Sequence, residues 1–330
     1  MVHPTTQARA DGTHWAHKGE STFVAGMWLL YGVYRVLGRL PFLLCLYPVV
    51  LYYWATRRQA RLASLDYLRQ LHRRHGVPAH RPTWRDSLRH FLSFADTLLD
   101  KTLAVSGSYR FDRVRFEGLE PMLERVRSGE GGVFITAHMG CLELCQALAG
   151  QCEGLRVHVL VHTRHAERFN RMLARLNPRC GVQLLQVTEI SPATALLLAD
   201  KVAQGDFVAI AGDRVPVHLG AQSCVDVQFL GRTAALPVGP YVLASLLKCP
   251  LYLLACIREG RHHTVVFEPL AEQVRLPRGQ RLQGAAVLAQ RYAQQLERLL
   301  VRAPFEWFNF FAFWAQGAAA AGAGAASSSS

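Results

Sequence analysis

Residues 131–150 read GGVFITAHMGCLELCQALAG. The apolar, β-favouring run from Gly132 to Ala137 stops at His138, and beyond Met139-Gly140-Cys141-Leu142 the residues from Glu143 to Ala149 read as a helix. A histidine therefore stands where a strand gives way to a helix. Positions five apart do not share a helix face, so the spacing puts His138 in the turn and Glu143 in the first helical turn, from which its carboxylate can reach back to one ring nitrogen. Such a bond would hold the tautomer, favour the imidazolium and leave the other nitrogen free to take a proton from a hydroxyl. That is the equipment of acyl transfer to an alcohol.

The spacing is not specific. With 14 histidines and 24 acidic residues in 330 positions, about one His-x-x-x-x-acid match arises by chance. The chain contains three, the others being His162/Glu167 and His263/Glu268. His263 and Glu268 lie in the strand-like run HHTVVFEPL, where an odd offset sends side chains to opposite faces, which reads as structural. His162/Glu167 follows RVHVLVHT, a second strand leading into helix-like sequence, and is a harder decoy. Gly140 favours His138, because a missing side chain permits a tight turn and close approach of substrate to backbone. On spacing and context alone, a catalytic histidine and a satisfied core histidine both remain open.

Working outward, VRFEG, RVHVLVH, GVQLLQV, DFVAIAG, VDVQFL, PLYLLACI and HTVVFEP read as further strands, with helices between many of them. One helix is expected from Ser191 as N-cap and Pro192 to Gly205, another from Pro237 to Lys248, and a third over about residues 279–301, closed by Pro304. This alternation predicts an α/β domain with a mixed, mostly parallel sheet covered by helices on both faces. Asp213 and Arg214 fall at the C-terminal end of DFVAIAG, the edge where ligands bind in open α/β sheets; a mutual ion pair is the plain alternative. Arg164 stands similarly after RVHVLVHT and is a candidate for binding a substrate phosphate. Gly231 and Pro237 in FLGRTAALPVG predict a glycine turn and a proline helix start, shaping one wall of an acyl groove.

The chain divides into a polar segment, 1–21, without the features of a signal peptide; a hydrophobic segment, 22–56; a main domain, 57–316; and a low-complexity tail, 317–330, expected to be disordered. The uncharged run LPFLLCLYPVVLYYWA is short for a full membrane span, so a span extended past Arg39 and an interfacial or re-entrant hairpin both stay open, as does a buried hairpin bent at Pro41 and Pro48. Nine arginines against Asp66 and Asp86 between residues 57 and 89 suggest a headgroup-binding face and place the main domain in the cytoplasm by the positive-inside rule. A formal charge of +13 without zinc-finger, RNA-binding or basic-zipper patterns argues against nucleic acid and for anionic headgroups or an acidic carrier. Eight scattered cysteines without Cys-x-x-Cys read as reduced and mostly buried; a nucleophilic Cys141 would need a depressed pKa. No metal or other cofactor is implied.

The block FITAHMGCLEL resembles the motif of the lysophospholipid acyltransferase-like superfamily, specifically its lipid A late acyltransferase branch. AGDRVPVHLG, VDVQFLGRTAALPVGPYVLASLLKCPLYLL and the terminal APFEWFNFFAFW resemble further blocks of that branch, the last two looking closest to members linked to aryl polyene-type lipid pathways. The resemblance implies that His138 and Glu143 form the catalytic dyad, and it inclines Asp213 and Arg214 toward organising the acceptor or the site loop. HMGCLE in place of the HFGNWE-like form, and the lack of an arginine after the aromatic box, count against lipid A itself as acceptor. The expected protein is a bacterial inner-membrane enzyme with its active site facing the cytoplasm. It would move a fatty acyl group from an acyl carrier protein or coenzyme A thioester to a hydroxyl of a lipid or glycolipid. A catalytically inactive membrane-tethered scaffold is the alternative, with a glycerolipid acyltransferase disfavoured by the missing Phe-Pro-Glu-Gly block. No Gly-x-Ser-x-Gly elbow or Walker loop supports hydrolase or nucleotide chemistry.

Overall fold

The residues of β2 (Gly132–Thr136) are buried on both sides: Val133 and Ile135 enter one apolar layer and Phe134 another. A strand with two buried faces needs apolar residues at every position, which is how GVFIT reads. The computed structural model describes residues 32–34, 36–149, 155–161, 182–186, 192–215 and 223–316. By its internal contacts the chain separates into residues 1–49 and 50–330.

In the larger unit β2 is the centre of a seven-stranded sheet. Its companions are β1 (Val114–Glu117), β3 (Val157–Val161), β4 (Val182–Gln186), β5 (Phe207–Ala211), β8 (Leu251–Glu259) and β9 (His262–Ala271), in the order β1-β9-β8-β2-β5-β3-β4. Every neighbouring pair is parallel except the β8–β9 hairpin, so the expected mixed, mostly parallel sheet is present. One apolar layer receives Tyr67, Leu68 and Leu71 of α2 (Arg58–His75), Leu198 and Val202 of α6 (Pro192–Ala203), Tyr241 of α7 (Gly239–Leu247) and the buried face of α8 (Arg281–Arg302). The other receives Ala104 of α3 (Trp84–Val105), Met122 of α4 (Leu119–Arg127), and Leu144 and Cys145 of α5 (Leu142–Ala149). Helices thus cover both faces.

The start of α3 is fixed by Asp86, whose Oδ2 accepts the Thr83 backbone N–H at 2.7 Å, the carboxylate side of a capping box. This helix carries His90, Ser93 and Lys101 toward the sheet's C-terminal edge.

Two expectations need correction. Pro237 does not start a helix; it ends β7 (Arg232–Pro237), which pairs antiparallel with β6 (Cys224–Phe229) as a separate two-stranded sheet, and α7 begins at Gly239 with Pro240 in its first turn. The β6–β7 turn is Leu230-Gly231, both with positive φ (53° and 77°), a two-residue hairpin geometry that suits glycine. Second, the hydrophobic run forms one helix, α1 (Arg39–Thr56), which continues through Pro48. No helix among the described residues is long and apolar enough to cross a membrane. Along α1, Leu40, Leu44, Val49, Leu51 and Tyr52 are exposed.

Candidate active site

The parallel register pairs Thr136 of β2 with Ala211 of β5. The Gly212 N–H continues that ladder to the Thr136 carbonyl at 2.9 Å. Two residues past the pair, on adjacent strands, come His138 and Asp213. They meet: His138 Nδ1 lies 2.8 Å from Asp213 Oδ1, and the His138 backbone N–H donates to Asp213 Oδ2 at 2.9 Å. Asp213 is 1% exposed and the His138 side chain 40% exposed, so the carboxylate is sealed while the imidazole reaches solvent.

Burial on its own would raise the Asp213 carboxyl. The His138 charge and hydrogen bond, then the Arg214 charge and the His138 main-chain bond, outweigh it and hold the group down at about 2. Asp213 is therefore an acceptor at any working pH, so Nδ1 must be the donor. The remaining nitrogen, Nε2, makes no hydrogen bond among the described residues, and it presents a lone pair whenever the ring is neutral.

Glu143 does not make the bond expected of it. Its Oε1 takes Lys101 Nζ of α3 at 3.0 Å, and no hydrogen bond joins it to His138. Burial would lower the Lys101 pKa, but the Glu143 carboxylate more than compensates and holds it above the ordinary value. Burial, reinforced by the charge of Glu143, pushes the Cys141 thiol well up, the reverse of what a nucleophilic cysteine requires. The backbone amides at the turn are also partly spoken for. Gly140 N donates to Glu306 O at 2.8 Å and Cys141 N to Cys256 O at 3.0 Å. The next two amides, of Leu142 and Glu143 in the first turn of α5, find no acceptor among the described residues.

Gly140 is required on two counts. Its φ is +58°, and a Cβ there would lie 1.7 Å from the Cys256 carbonyl oxygen, so the turn passes directly over β8.

The wall opposite is the aromatic segment after α8. Met139 and Trp307 form an antiparallel bridge, and Phe308 N donates to His138 O at 2.9 Å. Trp307 is fully buried, and its indole N–H donates to Asp213 Oδ2 at 3.0 Å. His90 of α3 holds the same residue by its main chain: Nε2 faces the Trp307 carbonyl at 2.8 Å and Nδ1 faces Ser64 Oγ at 3.0 Å. A carbonyl can only accept, so His90 carries its proton on Nε2; burial keeps it neutral, with a pKa down at about 4. Arg214 donates to Phe308 O at 3.0 Å and lies over the Phe311 ring at 5.5 Å. No ion pair joins Arg214 to Asp213, and burial lowers the Arg214 pKa.

His138, Gly140, Asp213 and Arg214 are thus gathered at one sheet edge, with Glu143 beside them on Lys101. Gly231 sits at an exposed hairpin tip and Pro237 is buried at the end of β7, neither bonded to His138. Their hairpin reaches the site through Phe229, whose ring meets Trp307 at 5.4 Å. Arg164 and the His162/Glu167 pair lie outside the described residues. His263 of the third pair bonds Tyr109, its Nδ1 2.7 Å from the hydroxyl. Sequence reasoning missed Lys101 and His90, which carry no local motif, and it did not assign Trp307 to Asp213.

A solvent-reaching imidazole hydrogen-bonded to a buried carboxylate at a parallel sheet's C-terminal edge has the geometry that a general base requires. The family model for bacterial lipid A biosynthesis acyltransferases matches residues 101–316, and the chain belongs to that family. It is an acyltransferase, and the family implies an acyl thioester donor and a lipid acceptor. No individually curated protein matches it.

Proposed function

We propose that His138 is the general base of this acyl transfer and that Asp213 is the carboxylate that orients it. The observation that carries the reading is the 2.8 Å bond from His138 Nδ1 to a carboxylate held at about 2, with Nε2 left over on a half-exposed ring. Nε2 removes the proton of an acceptor hydroxyl, the hydroxyl oxygen attacks the thioester carbonyl, and the imidazolium that forms is stabilised by Asp213. The tetrahedral oxyanion is met by the unengaged amides of Leu142 and Glu143 at the positive end of α5. As the oxyanion collapses, the C–S bond breaks and the thiolate leaves, taking up a proton from His138. Glu143 holds Lys101 at the rim of the site, and Arg214, buttressed by Phe308 and Phe311, contributes positive charge for an anionic substrate group.

The donor is an acyl carrier protein, whose acidity complements a chain of charge +13; coenzyme A is the second reading. The acceptor is a lipid or glycolipid hydroxyl. The exposed apolar residues of α1 and the arginines that follow suit a bilayer surface with anionic headgroups, which is where the acceptor resides. We place the enzyme at the bacterial inner membrane, active site toward the cytoplasm. Mass spectrometry of membrane lipids from cells with the protein, without it, and with His138→Ala tests the whole. A species present only with the intact protein identifies acceptor and chain together; identical profiles in all three refute the enzyme reading in favour of a tethered scaffold.

A further inference from the structure

We infer that Trp307 is a positioning residue for the reaction, setting the Asp213 carboxylate through its indole N–H; this rests on the proposed role of His138. Asp213 Oδ2 receives two donors, the His138 main chain and Trp307 Nε1. The first belongs to the turn that carries the base, so it ties the carboxylate to the very group it must orient. Trp307 ties it to the rest of the molecule. The indole is gripped by three rings packed on its edges, Tyr67 at 4.9 Å, Phe229 at 5.4 Å and Phe313 at 4.9 Å. Its own main chain is fixed from the other side by His90, 2.8 Å from the carbonyl. A rotamer locked on every side delivers one N–H to one oxygen, and that sets the plane in which Oδ1 meets Nδ1.

The residue type follows from the task. A phenylalanine would fill much of the space with no donor. A tyrosine hydroxyl can accept as well as donate. Indole offers a single N–H with no lone pair to repel a carboxylate.

The test replaces Trp307 in the full-length protein by its benzothienyl analogue, β-(3-benzothienyl)alanine, which keeps the bicyclic shape and exchanges N–H for sulfur. Trp307→Phe and His138→Ala are made alongside. With turnover read by mass spectrometry of the acylated lipid, the analogue is expected to lower kcat about 10- to 100-fold with KM for the donor unchanged. In an Asp213→Asn background, where the orienting carboxylate is already gone, the same exchange is expected to cause no further loss of kcat, a non-additivity that loss of packing would not produce. If the analogue turns over within twofold of the natural protein while His138→Ala is inactive, the positioning role is overturned and the base survives. A loss of equal size in both backgrounds overturns it too, in favour of packing. Full activity of His138→Ala would remove the base reading, and this inference with it.

Discussion

Replacing Asp213 by asparagine alters one atom and one charge, and the structure says how the site must respond. Three N–H groups converge on the carboxylate: His138 Nδ1 on one oxygen, His138 N and Trp307 Nε1 on the other. An amide has a single acceptor oxygen. Aimed at Nδ1, it would press its NH2 against the other two donors and forfeit two charge-assisted bonds, each about 1.5–3 kcal/mol. Aimed at those two, it loses one bond, and its NH2 then faces Nδ1. The second arrangement wins, and it obliges Nδ1 to carry the lone pair, moving the proton to Nε2. The nitrogen meant to accept the hydroxyl proton is then already occupied. Inversion of this kind in an acid–histidine–serine triad lowers kcat about 10⁴-fold. We expect a loss of about 10³- to 10⁴-fold, or about 4–5.5 kcal/mol in barrier. The assay is thiol release from an acyl carrier thioester, with lipid extracted from membranes lacking the protein as acceptor and a thermal melt to confirm folding. A folded Asp213→Asn protein within threefold of natural turnover would refute the reasoning.

The remaining predictions follow from the same contacts. Glu143→Gln, which weakens a hold on Lys101 rather than on the base, should lower kcat at least about tenfold less than Asp213→Asn; the reverse ranking, measured side by side, would return the orienting role to Glu143. Gly140→Ala should fail to fold or lose activity, since its Cβ would lie 1.7 Å from Cys256 O, as yield and circular dichroism would show. Stability should fall as pH drops from about 6.5 toward 4. His90 is neutral when folded, with a pKa of about 4 against 6.5 unfolded, so the unfolded chain binds the extra proton in that window, at about 3 kcal/mol in all. Urea midpoints across that range, flattened in His90→Gln, check this. A further loss should come only as pH falls below about 3.8 toward 2, where the unfolded chain protonates Asp213 first, worth about 2 kcal/mol.

Much of the architecture could be read from periodicity alone. Apolar runs buried on both faces announce parallel strands, and the position of Asp213 after DFVAIAG puts it at a strand's C-terminal edge. The partner of His138 was harder. Glu143 is near in sequence and invites pairing, whereas Asp213 is 75 positions away and becomes a neighbour only because β2 and β5 lie side by side in register. Alternation of strands and helices does not state strand order, so that pairing was invisible. Pro237 misled for a local reason: a proline ahead of a helical run favours a start, yet at the last position of an edge strand no ladder bond is asked of it. His90 lies in a run of buried polar residues along one helix, with Ser87, Ser93, Thr97 and Asp100, and Lys101 is half-buried near its end, but no short motif in the sequence says what either one meets.

The hydrogen bond from His90 to the Trp307 carbonyl joins residues 217 positions apart, and the one from the indole to Asp213 joins residues 94 apart. If His138 is the base, a ribosome making this chain would hold an incomplete site until residue 308 had emerged. The sheet's centre can form earlier, but the base acquires its setting only when the last aromatic strip docks. On the proposed mechanism, a copy terminated before Trp307 would lack the indole donor to Asp213 and, with it, the full setting of the base.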